Sequence, residues 1–340
     1  MKTSDVLVFF ATKQKRRPKV IFNILHGILT VSNLFWGLNY DVLYLSGMGK
    51  QIKKDEYQHH LNLAIQKGWL FSDEAGISLT KAGQKVQNHE LEGFHDLKND
   101  YELNMAIESF ILAVQVLSEF SFQNHKYLPS VSDVRVEWIV KQWFKAQKQQ
   151  ISSPKALSKK AFDDLIKVAE QLDGPDMNIL FNFLANHHDT GLTLEQIASL
   201  TDESTFLVSL KLKFILLSFF NHLDEDNMFY SLINYFKKPS IISNSAFESY
   251  QLIKAGKSME EVANMRRIKL NTVKEHLLMN AIIDSDFPFN EFLQVTYQPD
   301  TLPSSWQYSD FQSHFPQSDF FAFRLSQIKT IKDLRIHGKY

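Results

Sequence analysis

The sequence predicts a mostly α, multi-module helical protein with an N-terminal winged helix and a C-terminal helix-turn-helix region. Three observations predict it. Apolar residues recur at helical spacing along most of the 340 residues, and a 44% apolar content with 28 Phe is ample for packed cores. Strand-like runs with a turn between them are evident in one place, "WLFSDEAGISLT". The stretch "SMEEVANMRRIKLNTVKEHL", 258–277, carries two short apolar patterns that meet over a small alanine, as in a pair of crossing helices. Four modules are expected: a winged-helix-like domain over 1–90, a helical connector over 91–173, a degenerate helix-turn-helix-like copy over 174–235 and a helix-turn-helix domain over 236–340.

In chain order, the basic run "KQKRRPK" leads into a helix expected over 18–33, with Pro18 suited to its first turn. A short helix near 40–45 ends at Gly47 and Gly49. In "KKDEYQHHLNLAIQKGW", Tyr57, Leu61, Ala64 and Ile65 share one helical face, leaving Lys53, Lys54, Gln58, His59 and Asn62 for the other. The hairpin "WLFSDEAGISLT" follows, and three helices closed by a hairpin make a winged helix. Residues 99–123, then "PSVSDVRVEWIVKQWFKAQKQQI" and "KALSKKAFDDLIKVAEQL", read as three consecutive helices with short polar breaks, up to a boundary at Asp173, Gly174 and Pro175.

Charge is unevenly spread beneath a net of −1. Residues 1–90 hold 12 Lys+Arg against 7 Asp+Glu, 91–250 hold 14 against 21, 251–280 hold 6 against 3, and 281–340 hold 5 against 7. The basic surplus falls on the two expected binding modules. The absence of cysteine excludes disulfides, thiolate zinc sites and cysteine nucleophiles. Together with no signal-peptide pattern and the lysines interrupting "TFLVSLKLKFILLSFFNHL", it points to a cytoplasmic protein without a membrane association.

The chain repeats itself. "LTLEQIASLTDESTFLVSLK" aligns without gaps at an offset of 65 with "SMEEVANMRRIKLNTVKEHL", pairing Ala198 with Ala263 and Leu200 with Met265. The first copy has Thr201, Asp202 and Glu203 where the second has Arg266 and Arg267, so only the second has the charge for DNA. There Val262, Ala263, Ile268, Val273 and Leu277 supply the buried contacts. Asn271 with Thr272 begins the second helix, and Arg266, Arg267, Lys269, Asn271, Lys274 and His276 are expected on or near the outward side, where the set offers cations for phosphates and forks for base edges. Arg266, Arg267, Lys269, Asn271, Thr272 and Lys274, with Lys53, Lys54, Gln58 and Asn62 of the first module, form the candidate DNA-binding set. Arg267 occupies a turn position that favours glycine, which implies either a strained tight turn or a looser one.

These residues also resemble a known family. "AFESYQLIKAGKSMEEVANMRRIKLNTVKEHL" is similar to the helix-turn-helix domain at the C-terminus of some RecQ-type helicases, through Gly256, Lys257, Ser258, Glu260, Glu261, Val262, Ala263, Arg266, Thr272, Val273, His276 and Leu277. "FPFNEFL" and "SSWQYSDFQSHFPQSDFFAFRLSQIK" resemble the downstream part of that domain; Arg267 departs from its glycine. Over its full length the chain resembles the YpbB-like proteins of Firmicutes, commonly encoded beside a RecQ-type helicase. The resemblance implies DNA and a RecQ-type helicase as partners.

Catalytic patterns are weak. There is no nucleotide-binding Gly-x-x-x-x-Gly-Lys-Ser/Thr loop. The pairs His59–His60 and His187–His188 are read as surface histidines, since adjacent helical positions diverge, and "DEDN" at 224–227 as a polar helix boundary. Phe320, Phe321 and Phe323 are the aromatic cluster kept in view as a stacking platform for single strands. The expectation is a non-enzymatic nucleic-acid-binding accessory protein without a cofactor or small-molecule substrate, acting with a RecQ-type helicase in DNA repair or recombination. The alternatives are a protein-interaction scaffold without DNA contact and a transcriptional regulator.

Overall fold

A break at Gly27 shapes the N-terminal region. In the computed structural model, which describes residues 1–87, 97, 99–172 and 174–336 (174–176 by backbone only), the helix expected over 18–33 is two helices, α1 (Pro18–Leu25) and α2 (Val31–Tyr40). Gly27 takes φ 72° between them, and the Thr30 hydroxyl accepts the Asn33 N–H at 3.2 Å to start α2. The short helix expected near 40–45 is a 3-10 turn, Leu43–Leu45. Then come α3 (Lys54–Gln66), a hairpin of β1 (Leu70–Asp73) and β2 (Gly76–Leu79), and α4 (Lys81–Val86). Arg16 and Ile77 exchange backbone hydrogen bonds of 2.8 and 2.9 Å beside β2. Gly76 is required there, because a Cβ at its φ of 139° would sit 2.9 Å from the Arg16 carbonyl oxygen.

Next in the chain are α5 (Leu103–Ser121), α6 (Val134–Gln150), α7 (Pro154–Ala169), α8 (Gly174–Phe183), α9 (Leu194–Thr201), α10 (Thr205–Asn221) and α11 (Tyr230–Asn234). The last part holds α12 (Asn244–Lys254), α13 (Met259–Arg266), α14 (Leu270–Ile283), α15 (Phe289–Phe292), α16 (Tyr308–His314) and α17 (Phe320–Ile336). The protein is mostly helical, and its described residues hold one two-stranded sheet.

These elements form two compact units: residues 1–8, 55–70 and 81–238 in one, and 9–54, 71–80 and 239–340 in the other. Residues 1–90, expected as a single module, are therefore divided between the two. The boundaries expected after 90 and at Asp173 fall outside the described residues.

In the first unit α5 is the central helix. The Phe110 ring lies 5.2, 5.6 and 5.2 Å from Phe219, Phe220 and Phe229, joining α5 to α10 and the start of α11. By length and a mean hydropathy of 1.4, α5 could cross a membrane, but 56% of it is buried inside the protein, as in a core helix. The second unit is built on α2, α12, α14 and α17. Phe35, Ala246, Tyr250, Leu277, Ala281, Leu325 and Ile328 form one continuous core there. A satellite cluster of Trp306, Phe311 and Phe323 joins α16 to α17.

Candidate nucleic-acid interface

Residues 243–283 fold as three consecutive helices, the first two with side-chain caps. Ser243 caps α12, and at its far end Gly256 takes φ 86° while the Lys257 N–H closes back on the Leu252 carbonyl at 3.1 Å. α13 opens with a reciprocal capping box: the Ser258 hydroxyl accepts the Glu261 N–H at 3.1 Å, and the Glu261 carboxylate accepts the Ser258 N–H at 2.7 Å. That backbone donor holds the Glu261 carboxyl below its ordinary pKa. The α13–α14 turn is tight. Arg267 has φ 54°, ψ 43°, and the Ile268 N–H reaches the Ala263 carbonyl at 3.0 Å. Val262, Ala263 and Val273 are buried together where the two helices cross.

The first copy has the same local geometry at the same offset of 65. Thr193 and Gln196 form a capping box on α9, Asp202 ends it at φ 55°, ψ 29°, and Gly191 precedes it at φ 73°. Ala198 and Ala263 are both buried, and Leu200 and Met265 are both exposed. Ser204 caps α10 in the first copy; Lys269 holds that place in the second, with no side-chain cap.

The expected contact set does not all face outward. Arg267 and Lys269 are exposed and make no ion pair among the described residues. Asn271 is exposed and Thr272 half-buried, so four of the candidates gather at the tip of α14. Arg266 instead turns back onto α12, where its guanidinium donates to the Ser245 carbonyl and hydroxyl and to the Ser249 hydroxyl, and pairs with Glu248 at 3.0 Å. Lys274 pairs with Asp319 at 2.5 Å. His276 is buried, with Nδ1 2.7 Å from the Ser249 hydroxyl; burial first, and the nearby Arg266 cation second, lower its pKa. From His276 to Ile282 every residue of α14 is buried. Its first turn and a half is what can approach a groove, the end that helix-turn-helix proteins present to bases.

The N-terminal candidates Lys53, Lys54, Gln58 and Asn62 are exposed, the last three spaced along α3, and Gln58 donates to Asn62 at 3.0 Å. The basic run before α1 is largely structural. Arg16 donates to the Phe9 and Tyr40 carbonyls at 2.8 Å, Arg17 lies over the Trp36 ring at 4.2 Å, and Lys15 pairs with Asp73 in the hairpin. Among the described residues no three His, Asp or Glu side chains group as metal ligands; His187 pairs with Glu119 at 2.7 Å.

A capped helix and a second helix crossing over a buried alanine, with an exposed basic turn at the second helix's tip, define a helix-turn-helix domain, and residues 245–302 match the family model described as "Helix-turn-helix domain". The chain is also similar to protein YpbB of Bacillus subtilis (strain 168), 23% identical over 262 residues that span 74% of this chain and 73% of that protein. No solved structure matches.

The left-handed Arg267 gives a prediction with two opposite signs. Arg267→Gly relieves a non-glycine αL residue but loosens the unfolded chain, so a net stabilisation of about 0.5–1 kcal/mol is expected in urea unfolding. If its guanidinium touches DNA, the same variant binds more weakly. Destabilisation by Arg267→Gly would show that this side chain has a packing role.

Proposed function

We propose that this chain is a non-enzymatic nucleic-acid-binding accessory protein of the cytoplasm that acts with a RecQ-type helicase in DNA repair or recombination. The observation that carries the reading is the tip of α14. Arg267 and Lys269, exposed and without ion pairs among the described residues, flank a helix start bearing Asn271 and Thr272, in a domain of the helix-turn-helix family. The winged-helix reading of the N-terminal region rests on the order of elements in the sequence alone, and the exposed Lys54, Gln58 and Asn62 along α3 add backbone contacts in the DNA reading. The partner helicase rests on the sequence resemblance. With only one and a half turns of α14 accessible, base readout is limited, which suits a protein that binds many sequences.

The test is a gel-shift comparison of random duplex, forked and single-stranded DNA. Binding with little sequence preference, and tightest to the fork, is expected. Tight binding to one selected duplex site, resistant to random competitor, would instead make the chain a transcriptional regulator. Failure to bind any of the three would sink the DNA reading. A protein scaffold would then lead, a reading favoured by the first copy, where Leu200 is exposed and the exposed Asp202 stands in the place of Arg267.

A further inference from the structure

A cavity of about 790 Å³ in the first unit and an apolar groove around Trp138 and Tyr235 carry nothing that names an occupant, but a third cavity does. It has a volume of about 620 Å³, within the range of small-ligand sites, and lies beside the exposed tip of α14. Asn271, Lys274, Glu275 and Leu278 line it from α14, Thr30 to Ser32 from the start of α2, and Asp319, Phe320, Phe321 and Arg324 from the start of α17.

Arg324 is the unusual group. Its guanidinium lies 3.8 Å from the Phe35 ring centroid and 5.2 Å from that of Phe320, with no hydrogen bond or ion pair among the described residues. Burial alone lowers its pKa to about 10. Phe320, whose ring meets Tyr308 at 5.5 Å and Phe323 at 5.8 Å, remains 47% exposed and offers a ring surface beside it. The formal charges of the lining balance, Arg324 and Lys274 against Glu275 and Asp319, so a bare anion gains little there. A neutral planar group with both donor and acceptor edges fits better: Phe320 and Arg324 give it stacking surfaces, Arg324 and Asn271 donors, and Glu275 and Asn271 acceptors.

We propose that this cavity takes an unpaired nucleobase, so that the second unit reads a junction between duplex and single strand, with the duplex on the α14 tip and the first unpaired base against Phe320. The assignment rests on the DNA-binding reading above and names the substrate class of that surface.

The experiment uses the full chain and fluorescence anisotropy with a blunt duplex, the same duplex carrying a single-stranded extension, and the extension strand alone; a second set places 2-aminopurine as the first unpaired base. The extended duplex should bind at least about 5-fold more tightly than the blunt one, the gain of one stacked base. Its 2-aminopurine should be quenched. Phe320→Ala should remove both effects and leave blunt-duplex affinity unchanged, and Phe320→Tyr should restore them. Equal binding of blunt and extended duplexes, or a preference that survives Phe320→Ala, overturns this inference and leaves the α14 reading intact. Binding of the single strand with Phe320 dependence, but of no duplex, supports the pocket and removes the α14 reading. No binding to any of the three overturns both.

Discussion

Arg267→Glu combined with Lys269→Glu is expected to abolish most DNA binding while leaving the fold unchanged. Sequence pattern alone offers four cations around this turn, but Arg266 and Lys274 are engaged within the protein, by α12 and by Asp319. Two remain for phosphates. Counterion release then gives a log–log salt slope of about −2 from this turn, or a loss of about 12-fold in affinity between 50 and 200 mM salt, where four contacts would give a slope of −3 to −4. The double variant should flatten the parental slope by that amount. Far-ultraviolet circular dichroism should not change, since both side chains are exposed and outside the Val262–Ala263–Val273 cluster. Lys274→Glu should act differently, placing a second carboxylate beside Asp319 and costing stability before it costs binding. Parental affinity and slope in the double variant would move the DNA surface elsewhere on the protein.

What the sequence made legible was local. A capping box needs residues three apart, so Ser258 with Glu261 and Thr193 with Gln196 announce two helix starts within four letters each. The alanine crossing and the shared offset of 65 come from the same short range. Even the break of the helix expected over 18–33 had its signal in Gly27 and Thr30, a glycine stop and a threonine start. The direction of Arg266 did not, because its partners Ser245, Glu248 and Ser249 lie 17 to 21 residues upstream on another helix. The burial of the rest of α14 was less legible still. It depends on α2, more than two hundred residues earlier, and on α17, and periodicity in one helix cannot say which neighbours enclose it. Arg324 stacked on Phe35 is the same case across nearly the whole chain. The flanking Phe320, Phe321 and Phe323 did stand out as a cluster.

Arg266→Ala is expected to destabilise the second unit by about 2 kcal/mol and to have little direct effect on DNA contact, the reverse of a phosphate-binding arginine. The side chain is 16% exposed, and its planar fork serves the Ser245 carbonyl, two serine hydroxyls and Glu248 at once. Charge-assisted bonds of this kind contribute about 1.5–3 kcal/mol each when enclosed, and much less on the exposed Glu248 side. A lysine offers one point charge in place of the fork, so Arg266→Lys should recover less than half of the loss. The neighbouring His276 supplies an independent readout. Its pKa is lowered by burial and, secondarily, by the Arg266 cation, so removing that cation should raise it toward the ordinary 6.5, measurable by NMR titration. A histidine whose folded pKa is depressed contributes stability that is full above about 6.5 and is lost as pH falls through the folded value. Without Arg266 that acid loss shrinks, and the gap between variant and parent should be widest above pH 6.5 and narrow toward pH 5. An Arg266→Ala protein with parental stability and an unmoved His276 would mean that Arg266 is free in solution and belongs with Arg267 and Lys269 among the contacts at the tip of α14.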